Sequence, residues 1–246
     1  MIRISKLPVI LLISCFYASN LEAQSIFEPQ VICNGFCSAD SILFFSEVKS
    51  GDCLAKNSED SLGLHQIKFK NSQAIPDELL TVFYYYPELA HLKIQVSSKA
   101  IKQTMNCRPS PLNIFRTKPN RRYNLIINNN KGKYIGLKFN ELSFNIKVGW
   151  LGHELAHICE YEKMSTMQTI RFALKYVGSK EYVRMVERNT DLITIKHGLA
   201  YPLYDGTDFL LRNKEISAKY REYAITNGLS LSEIKCFWCS LPTVNE

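Results

Sequence analysis

Two hydrophobic periods divide this chain. Between residues 92 and 139, apolar and polar residues alternate in short runs; beyond 146, apolar residues recur every three or four positions. The first period belongs to strands and the second to helices. Residues 92–97 and 122–128 therefore read as strands, the second with Tyr123, Leu125 and Ile127 on one side. The run Asn128-Asn129-Asn130-Lys131-Gly132-Lys133 is a turn, and 134–139 reads as a third strand. Ahead of these, Pro76, Asp77 and Glu78 place proline and acids in the first turn of a helix that continues through 79–86. The cluster Tyr84-Tyr85-Tyr86 fits buried packing. Residues 24–72 are irregular, with cysteines and polar turns, and 38–48 suits a helix or a strand equally.

From 146 the pattern is helical. The first helix covers 146–163. A second covers 165–177, with Ile170, Leu174 and Val177 as its apolar stripe, and Gly178-Ser179 breaks it. A third covers 180–197 and ends at Gly198, a natural C-cap. A fourth covers 214–226 and ends at Asn227-Gly228. Ser230-Leu231-Ser232-Glu233 has the form of a capping box that opens another helix. No internal repeat or low-complexity tract interrupts the order. The expectation is an α+β fold, a small mixed sheet followed by a helical bundle.

Composition adds limits. With 246 residues, 46% hydrophobic and 22% charged, the chain suits one globular domain or a compact core with a small appendage. The formal net charge of +7 is spread along the chain. It reads as a solvated surface, and no nucleic-acid partner is expected. Residues 1–23 have the tripartite form of a secretory signal peptide: a short positive start, an apolar run over 7–18 and a small residue at Ala23. The alternative is a lipid anchor at Cys15, after the lipobox-like Leu12-Ile13-Ser14; the apolar run continuing through Phe16-Tyr17-Ala18 argues against it. The expected location is exported, periplasmic or extracellular, and no later stretch reads as a transmembrane span. Export permits disulfides. Of the eight cysteines, seven lie beyond residue 23. The odd number leaves at least one thiol unpaired, and Cys159 is the best candidate.

The chemistry concentrates in His153-Glu154-Leu155-Ala156-His157. Two histidines four apart share a helix face and can hold one metal ion, while the adjacent glutamate can face a water on it. Zinc is the expected ion, with Glu154 as general base. A catalytic zinc takes three protein ligands and keeps one position open. Two further carboxylates, Glu187 and Asp191, are also four apart on one helix face. One of the two can bind the metal and the other can hold the outer nitrogen of a ligand histidine. His197 is a weaker candidate for the third ligand. His197, Tyr201, Tyr204, Tyr220 and Tyr223 are candidates for stabilising an oxyanion.

The combination His153-Glu154-x-x-His157 and Glu187-x-x-x-Asp191 resembles the gluzincin metallopeptidases, the group that includes thermolysin. The likeness covers roughly 150–198 and is nearest in character to minimal, bacterial, exported members. It implies a zincin-like fold over 73–246, after a cysteine-containing segment over 24–72. It also implies Glu187 as third zinc ligand, Asp191 as the partner of a ligand histidine, and a peptide or protein substrate. The 30 residues between His157 and Glu187 exceed the thermolysin-like spacing, and the intervening helix over 165–177 accounts for the excess. The extended metzincin pattern is absent, with Glu160 as the third residue after His157. The rival expectation is a non-catalytic zinc-binding module with a recognition or regulatory role.

Overall fold

The computed structural model describes Val48 and residues 68–70, 77–110, 113, 116, 118–128 and 139–240, all within the unit Cys33–Glu246. The expected signal peptide, the lipobox at Cys15, most of the 24–72 segment and nearly all of the expected 134–139 strand lie outside the described residues. Of that strand, only Phe139 is described, and it opens a 3-10 turn, Phe139–Glu141.

The fold is α+β, a small mixed sheet followed by a helical region. Its strands are β1 (Lys68–Lys70), β2 (Lys93–Lys99), β3 (Met105–Pro109) and β4 (Arg122–Asn128), in the order β1-β2-β4-β3. β1 and β2 are parallel, as are β2 and β4, whereas β3 runs antiparallel to β4 at the edge. The register pairs Ile94 with Tyr123 and Val96 with Leu125, and Cys107 sits opposite Leu125 on the other side. This puts buried apolar side chains in rows across one sheet face, as the period-two alternation requires.

Helix α1 (Asp77–Tyr85) precedes β2, and α2 (Phe144–Lys163) follows the sheet. α2 carries the histidine motif and is buried round most of its girth, packed among the other described elements. The Ser143 side chain caps it by accepting from the Ile146 N–H at 3.4 Å. At its other end the buried Arg121 guanidinium donates to the carbonyls of Tyr161 (3.0 Å) and Met164 (2.8 Å). That satisfies carbonyls the helix leaves open and fixes the residue before β4 to the end of α2. Leu151, Leu155 and Ile158 are fully buried among α1, the sheet and Leu199.

The remaining helices are α3 (Thr166–Gly178), α4 (Lys180–Lys196), α5 (Ala200–Arg212), α6 (Ala218–Asn227) and α7 (Leu231–Ser240). α3 begins in a full capping box between Ser165 and Gln168. α4 ends at His197, and Gly198 takes the left-handed conformation at φ 83°. α5 lies close against α2. A Cβ on Gly149 would stand 2.3 Å from the backbone oxygen of Pro202, so glycine is what allows the two helices to meet.

Five details differ from the sequence pattern. β3 and α5 have no counterpart in it. α5 carries Pro202 in its first turn, a position where the missing N–H has no helical partner to lose. The fourth expected helix starts at Ala218, capped by Ser217, and not at Lys214. The apolar stripe of α3 is also corrected. Thr169 and Phe172 face inward, while Leu174 and Val177 are 55% and 78% exposed. α3 packs on α4 over a narrow strip, and Val177 borders a cleft instead of the core. Tyr86 is fully buried as expected, whereas Tyr84 is exposed.

Candidate metal centre

The helix spacing of His153 and His157 places their rings side by side, 5.0 Å between centroids and nearly perpendicular. α4 crosses the same face and supplies Glu187. Its Oε2 lies 3.2 Å from His153 Nε2 and 4.0 Å from His157 Nε2. The donor atoms of His153, His157 and Glu187 all fall within 4.8 Å of one another. Ligand atoms around a tetrahedral zinc stand about 3.3–3.6 Å apart, given bonds of about 2.0–2.2 Å. The observed separations bracket that value.

The outer nitrogens are held in turn. His153 Nδ1 lies 2.8 Å from Asp191 Oδ1, and the other Asp191 oxygen accepts the Leu229 backbone N–H at 2.8 Å. With Nδ1–H donating to Asp191, the ring of His153 turns Nε2 towards Glu187. His157 Nδ1 faces Glu160 Oε2 at 3.4 Å and Thr190 Oγ1 at 3.2 Å. Glu160 is buried, and Thr190 (2.9 Å) and Asn189 (2.6 Å) both donate to it. Tyr176 donates its hydroxyl to Glu187 Oε1. Each histidine thus has a carboxylate behind it, and the third residue has a phenol.

The electrostatics follow from burial. Burial disfavours the cationic form of His153, but the carboxylates of Asp191 and Glu187 outweigh it and hold its pKa well above the ordinary value. For Glu187, burial pushes the pKa up, and the hydrogen bond from His153 with the charge of His157 reverses this, bringing it to about 2. Glu154 is different. Burial dominates and raises its pKa, although both histidines oppose the shift and the Cys107 backbone N–H binds its carboxylate.

These groups open into a cavity of about 950 Å³, bordered by 103–109 of the edge strand and its approach, and by Tyr176, Tyr220 and Tyr223. His153, Glu154, His157, Glu187 and Asp191 all line it. Tyr201, Tyr204 and His197 do not. His197 instead bonds Glu88 at 2.8 Å, so it is neither a third ligand nor an oxyanion partner here. Comparison of the chain with protein-family models, curated proteins and solved structures finds no match.

Glu160, Thr190 and Tyr176 are additions that the sequence reading does not single out. The first two carry a signal: Glu160 is three residues after His157, and Thr190 three after Glu187, both on the ligand-bearing side of their helices. Tyr176 carries none, because its contact depends on how α3 folds back on α4. Cys159 is a free thiol, as expected, while Cys236 and Cys239 are disulfide-bonded.

Proposed function

We propose that this chain is an exported zinc-dependent peptidase of gluzincin type, with His153, His157 and Glu187 as metal ligands and Glu154 as general base. One observation carries the reading: three donor atoms from two helices converge beside a half-buried glutamate, in a cleft bordered by an antiparallel edge strand. The donor set suits zinc, two imidazoles and a carboxylate with the outer imidazole nitrogens already engaged.

Zinc held there would supply Lewis acidity, acidifying a water and polarising a scissile carbonyl. The chain's own residues do the rest. Glu154 lies one residue from the first ligand, with its carboxylate held by the Cys107 N–H. It takes the proton of the attacking water and passes it to the leaving amine. Its raised pKa makes it a stronger base than an exposed glutamate and suits it to both transfers. Among the described residues β3 pairs with β4 alone, and an extended peptide can add to its other edge beside the site. Tyr220 and Tyr223, which line the cleft, are the remaining candidates for stabilising the oxyanion. The disulfide-bonded Cys236 and Cys239 support export to an oxidising compartment. Among the described residues no helix is long and apolar enough to cross a membrane.

The test is a peptide-library digest with metal analysis, wild type beside Glu154→Gln. Glutamine keeps the shape of the side chain and removes the base. Hydrolysis is expected to fall by a factor of about 10²–10⁴ while one equivalent of zinc stays at the histidine pair. Unchanged turnover in the variant would sink the proposal.

A further inference from the structure

On the opposite side of the motif helix stands a second convergent cluster. Cys159 lies two residues past His157, which turns it to the face away from the ligand pair. Its Sγ is 3.4 Å from Glu88 Oε1, and the same oxygen is 2.8 Å from His197 Nε2. The ligand atoms of Glu88, Cys159 and His197 all lie within 4.8 Å of one another. We infer that Glu88, Cys159 and His197 form a second zinc site, distinct from the one at His153, His157 and Glu187.

Three observations support it. First, His197 is oriented as ligand histidines are. Its Nδ1 faces the Ile193 carbonyl at 2.7 Å, which places the proton there and leaves Nε2 for a cation. This repeats the arrangement of His153, whose Nδ1 is held by Asp191 and whose Nε2 faces Glu187. Second, the ring is fixed. It stacks on Tyr86 at 4.1 Å between centroids, and the Tyr86 hydroxyl donates to the Gly152 carbonyl on the motif helix. Third, the spacing fits. With Zn–S about 2.3 Å and Zn–O about 2.1 Å, a tetrahedral ion holds sulfur and oxygen about 3.6 Å apart. The Cys159–Glu88 distance needs almost no adjustment, and the His197–Glu88 distance must open by roughly 0.6 Å from the tetrahedral estimate.

The set of one sulfur, one nitrogen and one oxygen donor selects zinc or cobalt over magnesium or calcium. Cys159 is buried and Glu88 is about half exposed, so the fourth position faces solvent and takes a water. On binding, the thiol proton and any proton on His197 Nε2 leave to solvent, and the ion bonds the thiolate and the imidazole in their place. The three donors come from the 3-10 turn Pro87–Leu89, from α2 and from the C-cap of α4. The ion would pin all three from behind the peptidase site. A cysteine nucleophile is the poorer reading of the same cluster. Glu88 stands between the thiol and the imidazole, so the ring does not reach the thiol proton directly.

The experiment uses the full exported chain with its disulfides intact, dialysed against zinc and then exchanged with cobalt(II). Wild type is expected to hold two equivalents and to show a thiolate-to-cobalt charge-transfer absorption. Cys159→Ser is expected to hold one equivalent and lose the absorption, and His197→Gln, close to the surface, is expected to drop to one equivalent as well. His157→Ala is expected to hold one equivalent and keep the absorption. The inference is overturned if wild type holds one equivalent that only His157→Ala removes, or if the absorption survives Cys159→Ser. If wild type holds one equivalent that Cys159→Ser removes and His157→Ala leaves, the second site stands and the peptidase reading fails.

Discussion

Replacing Asp191 with asparagine tests the proposed metal centre through a residue outside the proposed ligand set. The carboxylate is buried and divides its oxygens, one to His153 Nδ1 and one to the Leu229 N–H, each at 2.8 Å. Both neighbours are donors. Asparagine has the same shape but one oxygen and one NH2, so it can satisfy only one of them. If the amide oxygen turns to Leu229, the NH2 confronts the ring and His153 must change tautomer, which puts a proton on the nitrogen that should face the metal. If the oxygen turns to His153, a buried N–H at Leu229 loses its acceptor at a cost of about 1–3 kcal/mol in stability. Loss of such a supporting carboxylate typically weakens a metal site by about 10–100-fold, equivalent to about 1.4–2.7 kcal/mol. The assay is zinc competition against a chromophoric chelator, with thermal unfolding of the metal-free and zinc-loaded forms. Zinc is expected to raise the melting temperature of the variant less than that of wild type at equal zinc. Wild-type zinc affinity in Asp191→Asn would refute the reasoning, because it would mean the Nδ1 hydrogen bond does not set the ring.

Two predictions concern the scaffold. Gly149→Ala places a methyl 2.3 Å from a backbone oxygen of Pro202, which no rotamer change can relieve, so unfolding in urea is expected to show a loss of about 1–3 kcal/mol or more; a neutral result would mean α5 moves freely on α2. Glu233 accepts from both Arg188 guanidinium nitrogens and from the backbone and hydroxyl of Ser230, and the Arg188 hydrogen bond, chiefly, lowers its pKa from 4.5 to about 2. A carboxyl whose pKa falls on folding stabilises the protein above its unfolded value and loses that contribution as pH drops towards the folded one. The stability gap between wild type and Glu233→Gln is therefore expected to be full above about pH 4.5 and to close towards pH 2, and a gap independent of pH in that window would refute the assignment.

The uneven legibility of this chain has a physical basis. Features set by neighbours within one turn or one strand can be read directly: the i, i+4 histidines, the i, i+4 acids, the alternation of β2 and β4, and the Ser230–Glu233 capping box. β3 escapes such a reading because Met105-Asn106-Cys107-Arg108-Pro109 offers three short inward positions and ends in proline, too little to outweigh a loop. α5 escapes it because Pro202 has the look of a breaker where it is a first-turn residue. Those two elements border the cleft, so its walls cannot be drawn from the sequence even though its floor can. The apolar residues of α3 show the same limit from the other direction. Leu174 and Val177 lie on a helical period that normally marks the core, but Val177 ends at the mouth of the cavity with Tyr223 and Ile225. Periodicity reports that a helix has an apolar side; which body covers that side is a tertiary fact. Here, beside the proposed peptidase site, part of that side borders the cleft, where the apolar side chains of a bound peptide would cover it.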